Sequence, residues 1–358
     1  MPPNRTRRAY PGGLLLDRLE GKVDPRDGDR PEDWIASVVP ARNPGLPPVE
    51  NEGLASLRGG TGKEPPVLLK DVIEQDPRHY LGPAHVAARG KNPGFLLKLL
   101  DSATRLHVQV HPTREFARSR LNAPFGKLEC YHVLATRPGT QAFIRLGFQH
   151  PPAKDEFRRV VVEQDIPAMD TWFDNIPVEP GETWLVPGGV PHAIGGGILI
   201  VEMMEPSDLS IRFEFERAGI VIPPEARFLG RDVDFAMDVL DFTPIPVKDA
   251  SRRYRLESTC IRDDASCTEH VLVDSRRVDC FEARKVVIKQ ATLVKMDGRM
   301  LVFIVIQGAG ELQVEGEKVA VKEGSKVLIP AAARVVHVKP SGCTPLVLIG
   351  CMPGAFTA

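Results

Sequence analysis

Short apolar stretches of strand length, each cut off by proline or glycine, leave this 358-residue chain little room for anything but a mainly β fold. Its 33 prolines, roughly 9% where about 5% is usual, and its 31 glycines interrupt helices and supply turns. The clearest strand has Leu106, Val108 and Val110 on one face and His107, Gln109 and His111 on the other, because successive strand side chains point to opposite sides. Further strands are predicted at Leu128 to Leu134, Val160 to Val162, Thr183 to Val186, Ile198 to Val201, Leu301 to Ile306 and Lys326 to Ile329. Val72 and Ile73, then Phe95, Leu96, Leu99 and Leu100, follow helical spacing and predict two or three short helices over about 66–100. A helical connector is expected over about 223–250, and the proline-broken first 62 residues read as irregular structure with short strands.

An internal repeat divides the chain. Gly181-x5-Pro187-x-Gly189-x2-His192 recurs in register as Gly324-x5-Pro330-x-Ala332-x2-Val335. Two jelly-roll β domains follow from it: residues 1–250, with the helical segment and connector, and residues 251–358. The second copy lacks the histidine, so chemistry is expected in the first. His337, two positions on, reads as an ordinary surface or core histidine.

Charge and length exclude several classes. Forty-six Lys and Arg balance 47 Asp and Glu, giving a net charge of −1 and no global field to hold nucleic acid or an anionic membrane. No apolar run approaches the ~18 residues of a spanning helix. Leu14 to Leu16 stops at Asp17, too soon for a signal-peptide core. Six cysteines without a C-x-x-C pair suit a reduced, cytoplasmic protein. Gly59-Gly60-Thr61-Gly62-Lys63 fails as a phosphate loop, since Glu64 follows the lysine and Leu57 stands where the first glycine belongs. Nothing in these patterns sets an oligomeric state; a monomer is plausible.

The residues that carry chemistry cluster on the strand faces. Gln109 and His111 sit roughly 6.6 Å apart on one face at about 3.3 Å per residue, workable for two ligands of one metal, although a wetted polar face would look the same. Lys127, Glu129 and Tyr131 share a face of the next strand, where a carboxylate beside a lysine on a buried wall needs pairing or a cation. The Gly181 to His192 motif matches the second cupin motif at each fixed position; its glycine and proline fix a turn that aims His192 inward. Two imidazoles, one carboxylate and one amide oxygen suit one divalent metal, zinc before manganese, iron, cobalt or nickel.

Four blocks then resemble class I mannose-6-phosphate isomerase, a zinc-dependent cupin family: Leu97-Lys98-Leu99-Leu100 through His111-Pro112, Gly126-Lys127-Leu128-Glu129-Cys130, Val186 through Ile194, and Glu202 to Arg212. The resemblance is strong over about 95–215 and holds only in outline elsewhere. It implies interconversion of mannose 6-phosphate and fructose 6-phosphate, with Gln109, His111, Glu129 and His192 as metal ligands. It also implies Lys98 and Lys127 as active-site lysines and Glu202 and Arg212 as the catalytic acid–base and oxyanion pair. Such an isomerisation moves a proton between adjacent carbons through an enediolate, which a carboxylate of raised pKa can shuttle. The competing reading of Glu202 and Arg212 is a structural ion pair. Two departures concern the substrate: His107 replaces a family serine that helps hold phosphate, and Tyr10-Pro11-Gly12-Gly13 replaces an aromatic-Trp-Gly pattern. His107 could bind phosphate as an imidazolium, clash with it or serve as a polar group for another sugar, and Trp34 resembles a family aromatic near the pocket, with a buried core tryptophan the equal alternative. Alternatives from other classes are a non-catalytic metal-containing cupin that binds or senses a sugar or sugar phosphate, and an iron-dependent cupin oxidase.

Overall fold

The computed structural model describes residues 1–58 and 65–355; the rejected phosphate-loop stretch lies outside them. Among the described residues four sheets dominate. A seven-stranded and a five-stranded sheet enclose one interior, built on Leu100, Tyr131, Ile144, Trp184, Ile198 and Ile200. A six-stranded and a four-stranded sheet enclose a second, built on Val286, Phe303, Leu312 and Val336. The fold is mainly β, of the two-jelly-roll cupin type, with short helices at the margins. No helix is long and apolar enough to cross a membrane among the described residues.

The seven-stranded sheet is apolar on both faces. Leu97, Leu99, Cys130, Leu199, Val201 and Met203 point away from its own interior and pack against Val273, Phe281, Val302, Ile304 and Ile349 of the six-stranded sheet. This shared layer explains one correction. Leu96–Ser102 is a strand, not the end of a helical segment, and all seven of its residues are buried. A strand covered on both faces reads as a continuous apolar run, which periodicity alone confuses with a helix. The predicted helices before it are present as Leu69–Gln75, Pro77–Leu81 and Pro83–Arg89.

Val160 to Val162 is the opposite error. It belongs to the helix Lys154–Glu163, whose Phe157, Val160 and Val161 are buried while Val162 is exposed. Asp155 and Glu156 in its first turn complement the helix dipole. Phe157 and Val160 join Val108, Val110 and Phe213 in an apolar layer outside the five-stranded sheet. Leu106 is a third correction: it packs in the interior with Leu100 rather than with Val108 and Val110, because regular pairing starts only at Gln109–Val110. The connector holds short helices at Pro224–Arg227, Val233–Val239 and Val247–Tyr254.

The first residues complete the seven-stranded sheet. Arg5–Thr6 pairs with Glu32–Ile35, which pairs with Leu96–Ser102 and sets Trp34 opposite Lys98. Gly12 is required where these segments meet, since a Cβ there would lie 1.8 Å from the Asp101 carbonyl oxygen. Asp101 also caps the following turn by accepting from the backbone N–H groups of Gly13 and Leu15. The repeat corresponds to equivalent structure in both halves. Thr183–Val186 turns into His192–Ile194, and Lys326–Ile329 into Val335–Pro340, each time passing from the larger sheet to the smaller one facing it.

Candidate active site

His192 opens its strand directly opposite Gln109, and Gln109 is flanked on its other side by Arg212. His111 follows the same short strand, and Glu129 starts the strand Glu129–Thr136 in the facing sheet. His111, Glu129 and His192 are all buried, with potential ligating atoms within 4.8 Å of one another. Nδ1 of His111 is 2.8 Å from the Leu209 carbonyl and Nδ1 of His192 is 2.9 Å from the Val190 carbonyl. With each Nδ1–H donating to a carbonyl, the Nε2 lone pairs are left to face inward, the arrangement metal-binding histidines use. His111 Nε2 lies 3.0 Å from Glu129 Oε1 and His192 Nε2 lies 3.6 Å from Glu129 Oε2.

The donor chemistry fits a divalent ion. Burial pushes the His111 pKa down to about 3 and lowers that of His192, so both rings are neutral and can donate electron pairs. Burial works against an ionised Glu129, but the Lys127 ammonium, 2.9 Å from Oε1, holds its carboxyl well below the usual range. Neither Glu129 Oε1 nor His192 Nε2 has a hydrogen-bond partner of good geometry, a costly state for buried polar atoms and one that a cation would relieve. Gln109, half-buried, lines the adjoining cleft beside this cluster.

That cleft has a volume of about 410 Å³ and is lined by Lys98, Lys127, Glu202, Arg212, His107 and Gln109 among others. Six cationic and four acidic side chains face it, which favours an anionic ligand. Glu202 sits in mid-strand between Lys98 on one neighbour and Tyr131 on the other. Burial, reinforced by the nearby Glu129 and Glu32 carboxylates, raises its pKa to about 8 although Lys98 Nζ is 2.7 Å from Oε2 and opposes the rise. Arg212 donates to the Ala226 carbonyl at 3.3 Å. Glu202 and Arg212 thus face one cleft with separate partners and do not form the ion pair that was the competing expectation.

Two of the expected substrate-contact residues, His107 and Trp34, are buried. His107 is buried beside the cleft with Nε2 unpartnered, but burial together with Arg212, Arg217 and Arg105 lowers its pKa to about 4, so it is a neutral imidazole rather than an imidazolium. Trp34 does not line the cleft. It is fully buried with Leu96 and Met204, and its Nε1 donates to Glu32 Oε2 at 2.7 Å. Sequence patterns gave no sign of what lies in front of it. Arg8 Nε donates to Glu32 Oε2 at 2.7 Å, Arg8 Nη2 donates to Asp208 Oδ1 at 3.0 Å, and the Tyr10 hydroxyl donates to Glu32. The one available signal was the altered segment around Tyr10.

A family profile described as "Mannose-6-phosphate isomerase, cupin domain" matches residues 275–346. The mannose-6-phosphate isomerase ManA of Bacillus subtilis is 26% identical over 240 residues, 66% of this chain and 69% of its own length. The mannose-6-phosphate isomerase of Streptococcus mutans is 29% identical over 239 residues, 66% of this chain and 68% of its own. Among solved structures, the mannose 6-phosphate isomerase of Bacillus subtilis superposes with a TM-score of 0.70 at 21% identity, covering 98% of both chains. A phosphomannose isomerase variant from Salmonella typhimurium gives 0.71 at 16% identity, covering 99% of this chain and 98% of the other, a likeness of fold. By these matches the chain is similar in sequence to mannose-6-phosphate isomerases over about two thirds of its length and shares the fold of their solved structures.

Proposed function

We propose that this protein is a metal-dependent aldose–ketose isomerase interconverting mannose 6-phosphate and fructose 6-phosphate in the cytoplasm. The observation that carries the proposal is Glu202, a buried carboxyl with its pKa raised to about 8, on the wall of a cleft that adjoins the His111, Glu129 and His192 cluster through Gln109 and Lys127. A general acid–base group works best with a pKa near the working pH. A divalent ion held by those three residues, with Gln109 beside them and zinc the best-suited metal, would supply positive charge toward the substrate oxygens.

The remaining roles fall to the chain itself. Arg42, with Arg7 that is paired to Glu52, provides cationic contacts for the phosphate. Ionised Glu202 takes the proton from carbon 2 of the aldose and returns it to carbon 1, passing through an enediolate, while the hydroxyl proton on oxygen 2 passes to oxygen 1 so that carbon 2 becomes the ketone. Lys127 and Arg212 offset negative charge that builds on the oxygens, and Lys98 steadies Glu202 between the two transfers. A protein that merely senses a sugar phosphate gains nothing from desolvating Glu202. The test is elemental analysis of the purified protein followed by incubation with mannose 6-phosphate in deuterated water. Fructose 6-phosphate with solvent deuterium incorporated is expected; tight binding without conversion or exchange would favour the sensor and overturn the isomerase.

A further inference from the structure

We propose that Glu32 is a positioning residue that holds the Lys98 ammonium against Glu202, acting through Lys98 and not on the substrate. Four donors converge on this one buried carboxylate. Arg8 Nε and Trp34 Nε1 each reach Oε2 at 2.7 Å, Lys98 Nζ reaches Oε1 at 3.2 Å, and the Tyr10 hydroxyl also donates to Oε1. With both oxygens doubly engaged, the carboxylate has little capacity left for a sugar hydroxyl, although it borders the cleft.

Lys98 is the member whose position matters. Its ammonium stands between Glu32 Oε1 at 3.2 Å and Glu202 Oε2 at 2.7 Å. It is aimed by the register that sets Trp34 beside it, with the indole ring centre 5.8 Å from Nζ. Arg8 anchors the far side of Glu32 to Asp208, so the carboxylate cannot follow the lysine if the lysine moves. Sharing one ammonium between two carboxylates leaves Glu202 only partly compensated, and therefore still able to bind and release a proton. Removing the Glu32 charge would free Lys98 to move onto Glu202 alone. Misplacement of a reacting group by about 1 Å can cost on the order of 100-fold in rate.

This inference rests on the isomerase reading for its kinetic test and is separable from it. The variants are Glu32→Gln, Lys98→Met and their combination, all loaded with the same metal and checked for equal metal content. Each single change is expected to lower kcat by about 100-fold. If Glu32 works through Lys98, the double variant is no slower than Lys98→Met alone, within about threefold. Losses that multiply in the double variant would overturn the proposal. If Glu32→Gln folds poorly, Tyr10→Phe removes one of the four bonds, and its smaller loss should likewise vanish in the Lys98→Met background. A crystal structure of Glu32→Gln, or of Tyr10→Phe in its place, reads the position without turnover. Lys98 Nζ unmoved relative to Glu202 would also overturn the proposal, whereas an inactive wild-type protein would defeat the isomerase reading alone.

Discussion

Replacing Glu202 by glutamine should make the metal-free protein more stable while removing its activity. In the folded chain the Glu202 pKa is raised to about 8 from an ordinary 4.5, chiefly by burial. Between those values the native state holds a proton that the unfolded chain has released, so the residue's contribution to stability falls as pH rises through that window. The loss is about 1.4 kcal/mol per pH unit, an upper bound of roughly 3 kcal/mol at pH 7. Relaxation of the Lys98 network and an imperfect amide fit reduce the expected gain for Glu202→Gln to about 1–2 kcal/mol. Urea denaturation of chelator-treated wild type and variant at pH 5, 6, 7 and 8 measures it. The variant's advantage should be near zero at pH 5 and grow toward pH 8, while isomerisation in the metal-loaded protein drops by about 100-fold or more. An advantage that stays flat with pH, or shrinks, would refute the assignment of Glu202 as a desolvated, protonated carboxyl.

Three further outcomes are expected. One divalent ion should bind per chain and be lost in His192→Ala but kept in His337→Ala; two ions surviving the first change would contradict a single site in the first repeat. Gly126→Ala should weaken metal retention, since the added Cβ would meet Arg114 N, Pro112 O and Thr113 C at 2.5–2.6 Å and push the backbone after His111 away from Lys127 and Glu129. Equilibrium dialysis of metal against the wild type reads this, and unchanged affinity would count against the close approach. Lys326→Met should destabilise by about 3–5 kcal/mol because it strips a buried Asp33 and Glu20 of their shared ammonium; a change in denaturation midpoint equivalent to under about 1 kcal/mol would show that pair to be dispensable.

The parts of this protein written in local patterns are legible in the amino-acid sequence alone. Gly181, Pro187 and Gly189 announce a turn that delivers His192, and the alternation around Gln109 and His111 puts both on the side toward His192 because a strand has only two faces. The misreadings share a physical origin. Leu96–Ser102 lost its alternation because a second sheet covers its back, and the three valines at 160–162 resemble a strand until Phe157 and Val160 are seen to be one helical turn apart. Glu32 and its donors could not be read locally, since Arg8 meets a partner 200 residues along the chain in Asp208. Charge balance at the N-terminus gives no hint that a basic residue there is bound for the interior.

The layer between the two larger sheets makes this chain a poor candidate for treatment as a pair of modules. Leu97 and Leu99 flank Lys98, Val201 and Met203 flank Glu202, and Cys130 adjoins Glu129, so each of these cleft groups shares its backbone with a side chain seated on the C-terminal half. A domain swap or a truncation after Leu256 would strip that seat. Substitutions at Phe281, Ile304 or Ile349, which touch no substrate, would be transmitted along three strands to the proton-handling groups. Directed evolution of substrate preference would therefore find tuning positions in the half that has lost its histidine, with kcat and stability moving together.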